Sequence, residues 1–384
     1  MRVLHIITRL NVGGATRAIT NLLPYLEGDK TLIYGEVEQD EADMSSLLNF
    51  LDCSTIKLLK LPSLCRSISS KDLSAYRSLL HYLKLLKPDI VHPHLSKAGF
   101  LGRLAAWRAG LRRTVHTYHG NIFESHFGGL RSRVFLAVER ALAAKTSSLV
   151  AVSQTLRKRL SKLLGIRSRW SVIPPPVCFK FHSSAHRCHS KNPFGLDKNR
   201  LVLGFLGRLV AVKNPLFLVD VLKHLGEKWI LLVGGDGPLK TAVEKKAVER
   251  GVRGQVKFAG WVNDIESFYE ACDVFATTSE SEGFGFGIVE ALYFGVPNVA
   301  LAATGVADVM NAPLLASEDF IKTDSGWVVY KKNPQIFAKC VLEAYKENKR
   351  DFSTALKRIL EICSPSTVAE EYNTLYRDLM RRIL

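Results

Sequence analysis

The sequence predicts an α/β protein built from two Rossmann-like halves in tandem, and three observations carry that expectation. Short apolar runs alternate with helical patterns along nearly the whole chain, as in parallel sheets flanked by helices. At 384 residues the chain exceeds what one hydrophobic core usually covers, so two domains facing a central cleft are expected. Glycine-rich turns follow several of the apolar runs, and ligands of such sheets bind outside the carboxyl ends of the strands.

The first half is expected over residues 1–176. VLHIITRL (3–10) reads as a buried strand, and NVGGATRAITNLLPYL as a glycine turn running into an amphipathic helix. KLLKL (57–61) is strand-like, and a helix over 72–87 stops ahead of Pro88. DIVHPH (89–94) is the next strand, a helix over 97–109 follows, and TVHTYHG (114–120) is strand again. RVFLAVERALAAK is helical and leads to the strand SLVAVS, whose Ser153 is placed to cap the next helix. VIPPP (172–176) closes this half.

Residues 177–199 read as a linker, polar, histidine-rich and weakly periodic. Cys178, His182, His186, Cys188 and His189 fall in or beside it. Their spacing fits no usual zinc arrangement, so no metal is expected there.

The second half is expected over 200–365. LVLGFLGRL is a strand, NPLFLVDVLKHL a helix, WILLVGGDGPL a strand and turn, and LKTAVEKKAVERG a helix. VKFAGWV, IESFYEAC and DVFATTS continue as strand, helix and strand. The glycine loop SEGFGFG then delivers the chain to the helix IVEALYFG, and NVALAA is strand. A last helix, EEYNTLYRDLMRRIL (within 366–384), ends the chain.

Composition excludes several classes. Apolar content of 47% with 23% charged residues is ordinary for a soluble globular protein. No run of 18 apolar residues occurs, and the start MRVLHIITRLNVGG is too short and interrupted for a signal peptide. Seven scattered cysteines without a CxxC spacing point to reduced thiols, so a cytoplasmic location is expected. The net charge of +17 is concentrated in the first half; residues 90–190 hold 17 basic residues against Glu124 and Glu139. Arg103, Arg108, Arg112, Arg113, Arg157, Lys158, Arg159, Lys162, Arg167 and Arg169 outline a basic face. An anionic membrane surface or polyanionic acceptor suits such a face, which brings peripheral attachment to the inner side of the cytoplasmic membrane into view. A solvated surface without a partner is the plain alternative. Nucleic acid is not expected, since no nucleic-acid fold signature accompanies the charge.

Candidate site residues fall on the strand ends. Glu282 and Glu290 are separated by seven residues, with Gly283, Gly285 and Gly287 around the first. The unpaired N–H groups of the helix that follows favour an anionic or hydroxyl-rich ligand. Arg208 and Lys213, five residues apart in GRLVAVKNP, have the chemistry of a diphosphate clamp. Gly13 and Gly14 let the backbone approach a phosphate or sugar closely. Asp236, in GGDGP, is expected to cap a helix.

Among the histidines, His5, His81 and His224 have no chemical company in sequence. His116 and His119 fall on opposite faces while the strand is extended, roughly opposite Tyr118 or at separate depths. His119, next to Gly120 at the strand end, is the better catalytic candidate. His92 and His94 share a face, with Lys97 just beyond, and His94 and Lys97 are candidates for acceptor or phosphate contact. Arg112 and Arg113 are grouped with them as acceptor or membrane residues.

NVGGATRAITNL, IVHPHLSKAGFLGRLAA, HTYHGNIFE, ERALAAKTSSLVAVS, GRLVAVKNP, VGGDGPL and SEGFGFGIVEALYFGVPNV together resemble blocks of GT-B, family-4-type retaining glycosyltransferases, in the family's order. The resemblance implies a nucleotide-diphosphate-sugar donor held mainly by the C-terminal domain, transfer with retention, and a last helix crossing back to the N-terminal domain. It implies that Arg208 and Lys213 bind the donor diphosphate and Glu290 the ribose. Glu282 and the backbone of Phe284 and Gly285 would face the sugar, Gly14 the phosphate, and His119 the reacting carbon. The acceptor it implies is a saccharide or lipid-linked hydroxyl, typically in polysaccharide or lipopolysaccharide assembly, with no cofactor or metal.

Two departures from the family pattern stand out: PPPVCFKF after the Ile-Pro, and TGVADVM, which keeps only Gly305 of a paired-glycine segment. Two rival functions share the fold, a sugar-nucleotide epimerase and a non-catalytic nucleotide-sugar-binding scaffold. The four intact residues Arg208, Lys213, Glu282 and Glu290 weigh against the scaffold.

Overall fold

The computed structural model describes every residue except 40, 53, 121–129, 180–191, 348–350, 383 and 384. The chain divides into two compact units, Met1–Cys178 with Glu361–Leu384, and Phe179–Leu360. His182, His186, Cys188 and His189, with most of the 177–199 segment, lie outside the described residues.

In the first unit, β1 (Arg2–Ile7), α1 (Gly14–Leu22), β2 (Asp29–Tyr34) and β3 (Ile56–Lys60) come first. They are followed by α2 (Lys71–Leu86), β4 (Ile90–His94), α3 (Ser96–Arg108) and β5 (Val115–Tyr118). Then come α4 (Leu130–Lys145), β6 (Ser148–Ala151), α5 (Gln154–Leu164) and β7 (Trp170–Val172). The sheet order is β3-β2-β1-β4-β5-β6-β7, with every pairing parallel.

Alternation along the strands splits the core between two faces. Val3, Ile7, Val115 and Val150 point to one side, where they meet Ile19 and Leu22 of α1. Leu4, Ile6 and Val91 point to the other, against Leu79 and Leu83 of α2 and Leu101 and Ala105 of α3. Three chain punctuations follow local chemistry. Lys87 takes the left-handed conformation (φ 44°) that ends α2 ahead of Pro88. Ser153 caps α5 by accepting from the Leu156 N–H at 3.3 Å, as the sequence led us to expect. β5 stops at Tyr118, two residues short of the expected end, which frees His119 from the sheet ladder.

In the second unit, β8 (Leu201–Leu206), α6 (Pro215–Leu225), β9 (Trp229–Gly234) and α7 (Lys240–Glu249) alternate, then β10 (Val256–Gly260), α8 (Ile265–Glu270) and β11 (Val274–Thr277). After them come α9 (Phe286–Tyr293), β12 (Asn298–Leu301), α10 (Thr304–Val309), β13 (Phe320–Thr323), β14 (Gly326–Val329) and α11 (Pro334–Lys346), and α12 (Ser353–Cys363) runs past the end of this unit at Leu360. The sheet order is β10-β9-β8-β11-β12-β14-β13, parallel except for the edge pair β13 and β14.

The last helix, α13 (Pro365–Arg381), belongs to the first unit. Ser364 accepts from the Thr367 N–H and Pro365 occupies the first turn, so the helix start is fixed locally. Val368, Ala369, Tyr372, Tyr376 and Leu379 repeat at helical spacing and bury one face with Val3, Ile7 and Val115. Arg113 fastens the far end by donating from Nε to the Leu379 carbonyl at 3.0 Å.

Candidate active site

In the second unit four strand-end loops are tied into one wall. β8 and β11 are sheet neighbours, so the loops after them start side by side. The Thr278 hydroxyl donates to the carbonyls of Lys213 (2.9 Å) and Asn214 (3.2 Å), and the Glu280 N–H donates to the Val212 carbonyl at 2.9 Å. These bonds bring Lys213 to Glu282, whose Oε2 lies 2.6 Å from the Lys213 Nζ. The pair is partly exposed, 28% for the Lys213 side chain and 18% for Glu282, so both groups remain reachable from solvent.

The turn after β9 closes on the same loop. Gly235 has φ of 119°, and a Cβ there would stand 2.2 Å from the Gly207 carbonyl oxygen, so only glycine fits. Asp236 does not cap α7 as expected. Its Oδ1 accepts from the adjacent Gly237 N–H at 2.7 Å, and the N-cap of α7 is Leu239, without a side-chain cap bond. Arg208 is half-buried in this loop.

The glycine loop itself is held from the far side. The Glu282 carbonyl accepts from the Gly305 N–H at 2.9 Å and from the Thr304 hydroxyl. A Cβ on Gly305 would lie 2.5 Å from the Phe284 nitrogen and 2.6 Å from the Gly283 carbonyl. That close backbone approach explains the one glycine kept in TGVADVM. Gly285 (φ 100°) then leads into α9 with no side-chain cap, leaving the helix N-terminus open to a ligand. The Phe284 side chain is buried, its ring 5.5 Å from that of Phe286, so only the Phe284 backbone is available to a ligand. Glu290, one turn further, is 5% exposed and accepts from the Tyr269 hydroxyl at 2.9 Å.

The first unit presents different chemistry. The turn after β1 carries Gly13 as N-cap of α1, again with no side-chain cap bond, and Gly14 opens the helix. Beside it, β1, β4 and β5 place a row of histidines on the face shared with α13. Register pairs His5 with His92 and His94 with Thr117. His94 Nε2 is 3.1 Å from His5 Nδ1, and His94 Nδ1 is 3.1 Å from His119 Nε2. His92 bonds the Tyr376 hydroxyl through Nδ1 (2.6 Å) and the Thr117 hydroxyl through Nε2 (2.8 Å); Thr117 in turn meets the Tyr372 hydroxyl at 3.1 Å. Burial disfavours the imidazolium throughout: His5 is lowered to about 3, His119 to about 4, and His92 and His94 fall well below 6.5.

Several sequence expectations are corrected here. His5 has company after all, because strand alternation puts it on the histidine face with Val3 and Ile7. His94 is 2% exposed with both nitrogens engaged inside the protein, so it does not face an acceptor. Lys97 is not free for phosphate either; it pairs with Asp72 and donates to the Ser67 carbonyl. Arg113 is occupied by the end of α13, whereas Arg112 is exposed. Tyr118 does not lie opposite His116, since residues two apart share a face; their ring centroids are 4.4 Å apart. Arg103 leaves the basic face altogether. It is buried, bonded through Nη2 to both Glu139 oxygens at 2.7 Å, and the Tyr118 hydroxyl joins Glu139 at 2.5 Å.

Two family models match the chain, "Glycosyltransferase Family 4" over residues 12–180 and "Glycosyl transferases group 1" over 188–357. An Escherichia coli UDP-Gal:alpha-D-GlcNAc-diphosphoundecaprenol alpha-1,3-galactosyltransferase is 32% identical over 308 residues, covering 75% of this chain and 79% of that protein. The chain is a GT-B, family-4-type glycosyltransferase. A putative glycosyltransferase, EpsF, of Bacillus subtilis is 27% identical over 77% of this glycosyltransferase and 78% of its own length. Among solved structures, the Anabaena protein HepE with UDP and glucose superposes with a TM-score of 0.78 at 21% identity, covering 98% of this chain and all of that one. The sucrose-phosphate synthase of Thermosynechococcus elongatus gives 0.79 at 17% identity over 99% of each chain. Both likenesses concern the fold.

Thr278, Thr304, Tyr269 and the pair Tyr372 and Tyr376 escaped the sequence reading. Only the threonines had a local signal, each standing at the end of an apolar strand run.

Proposed function

We propose that this glycosyltransferase moves a hexose from a nucleotide-diphosphate-sugar to an acceptor hydroxyl with retention of anomeric configuration. The adjacency of Lys213 and Glu282, on a wall of strand-end loops beside the uncapped start of α9, carries the reading. Lys213 and Arg208 offset the diphosphate charge, and Glu290 takes the ribose hydroxyls. Glu282 and the backbone N–H groups around Phe284 and Gly285 hold the sugar. As the bond between the donor C1 and the phosphate oxygen breaks, positive charge develops at C1 and negative charge on the leaving diphosphate, which the cationic pair stabilises without a metal ion. The acceptor oxygen bonds to C1 from the face the diphosphate leaves, and its proton passes to the departing phosphate oxygen. By the family resemblance, His119 would face the sugar and the Gly13–Gly14 turn the phosphate.

A lipid-linked acceptor in cell-surface polysaccharide or lipopolysaccharide assembly fits best. The Escherichia coli relative is named for a diphosphoundecaprenol acceptor. In addition, α5 exposes Lys158, Arg159 and Lys162, and the neighbouring α4 exposes Val134 and Val138, a mixture suited to an anionic membrane surface. No helix among the described residues is long and apolar enough to cross a membrane.

A thermal-stabilisation scan of UDP-, GDP- and ADP-sugars tests the donor half. One nucleotide-sugar should raise the melting temperature of the wild type. The Lys213→Ala and Glu290→Ala chains should lose most of that rise. Absence of stabilisation by any nucleotide-sugar, or an unchanged rise in both variants, contradicts the reading. Incubation with donor alone separates transfer from epimerisation, since an epimer formed without acceptor points to the latter.

A further inference from the structure

The histidine row contains a feature that the transfer reaction as described leaves unused. His5, His94 and His119 form an unbroken chain of imidazole contacts, His5 Nδ1 to His94 Nε2 and His94 Nδ1 to His119 Nε2, each 3.1 Å. A neutral imidazole carries one N–H and one bare nitrogen, so the chain can run in only one of two directions. Either the protons sit on Nε2 throughout, with His119 donating inward, or they sit on Nδ1 throughout, with His5 donating outward.

The inner end decides the direction. His5 is fully buried, and its Nε2 has no hydrogen-bond partner among the described residues. With the inward direction that nitrogen would carry a buried N–H with no acceptor, which is the rarer and costlier defect. With the outward direction it is a bare nitrogen and the N–H lies on Nδ1, where His94 accepts it. Charge does not upset this count: Lys30 lies near enough to His5 to oppose a second proton, and burial does the same along the row. His92 stands outside the chain. Its ring is 4.2 Å from that of His94, but both its nitrogens are taken by Tyr376 and Thr117.

We propose that His5 and His94 are positioning residues that fix His119 as the neutral Nδ1–H tautomer. Its Nε2 is consumed by His94, so the only group it can present to a ligand is an N–H donor. This inference rests on the reading that His119 serves the reacting sugar, and it gives that service a definite form: His119 donates to a sugar hydroxyl or ring oxygen and does not act as a base. The arrangement follows the general behaviour of histidine, in which the bond made by one ring nitrogen selects the proton on the other.

The register of β1 with β4 brings one ring nitrogen each of His5, His92 and His94 within 4.8 Å of one another, close enough to be read as a metal set. The saturated nitrogens of His92 argue for the hydrogen-bonded chain instead.

Long-range proton–nitrogen NMR of the full chain, labelled with ¹⁵N-histidine at neutral pH, tests the proposal without any sugar present. The expected spectrum shows His5, His94 and His119 all protonated on Nδ1. In His94→Leu the His119 signature should shift to Nε2–H or to a mixture of tautomers. In His94→Asn, whose amide N–H stands where the histidine Nδ1–H stood, the Nδ1–H signature should be restored. An Nε2–H tautomer at His119 in the wild type overturns the proposal, and needs no variant to fold. So does a His119 spectrum unmoved by His94→Leu, or a stoichiometric metal bound through His5 and His94. A negative donor scan alongside the expected tautomers would instead fault the assignment of the donor site.

Discussion

The two units of this glycosyltransferase build their chemistry in opposite ways. The second unit uses loops: Lys213, Glu282 and Gly305 come from three strand ends, but the decisive stretch, 279–300, is continuous in sequence. The first unit uses strand faces: His5 and His94 share one face of β1 and β4, nearly 90 residues apart in sequence, and His119, just past the end of β5, joins them. A loop site advertises itself through glycine and charge at close spacing. A face site depends on sheet register, which no local window contains. The same contrast sets exposure, since the Lys213–Glu282 pair meets solvent whereas His5, His92 and His94 are buried and only His119, at the end of the row, is partly exposed.

Glu282→Ala should separate the units most sharply. If Glu282 holds the reacting sugar as proposed, its removal should lower turnover by about 10²–10³-fold. The melting temperature should barely change, because a partly exposed ion pair contributes little to stability. Steady-state kinetics and calorimetry on the same preparation check both halves; an active Glu282→Ala enzyme removes the residue from the mechanism.

Acid should attack the first unit before the second. His5 and His119 titrate at about 3 and about 4 when folded, against 6.5 as the ordinary value, and His92, His94 and His116 are lowered as well. Below pH 6.5 the unfolded chain therefore binds protons that the folded chain refuses, so stability falls as pH drops through that window toward 4 and below. The slope approaches about 1.4 kcal/mol per pH unit for each such histidine. Urea titrations across that window check it. A flat profile would mean that the row is charged or exposed.

Gly305→Ala should cost about 1–3 kcal/mol, because the added Cβ meets the backbone of Gly283 and Phe284. Since that backbone is the glycine loop itself, donor affinity should fall with stability. Loss of stability at full affinity would show the loop to be adaptable. Tyr376→Phe is the counterpart in the first unit. It strips the hydroxyl from buried His92 Nδ1 and should cost about 1–2 kcal/mol by urea unfolding.

Legibility in the sequence follows the same division. Most parallel strands and their helices could be read from apolar runs, and the turn ahead of α9 from its closely spaced glycines. β2 escaped because DKTLIY opens on two charges, one of which, Lys30, is buried and donates to the Leu26 carbonyl at 2.9 Å. The edge pair β13 and β14 was not read, because FIKT and GWVV are joined by a two-residue turn with no helical segment between them to set off a βα alternation. The burial of Arg103 is not legible in sequence because helical position does not reveal a buried partner; Glu139 lies 36 residues on, in another helix. The neighbours of His5 are invisible in sequence because only the β1–β4 register supplies them.

The central claim is that the loop wall around Lys213 and Glu282 supports same-face transfer from a nucleotide-diphosphate-sugar. The anomeric configuration of the product, read by proton NMR during the first turnovers with the donor identified by thermal scan, tests it most directly. The account predicts a product with the configuration of the donor. An inverted product would contradict it.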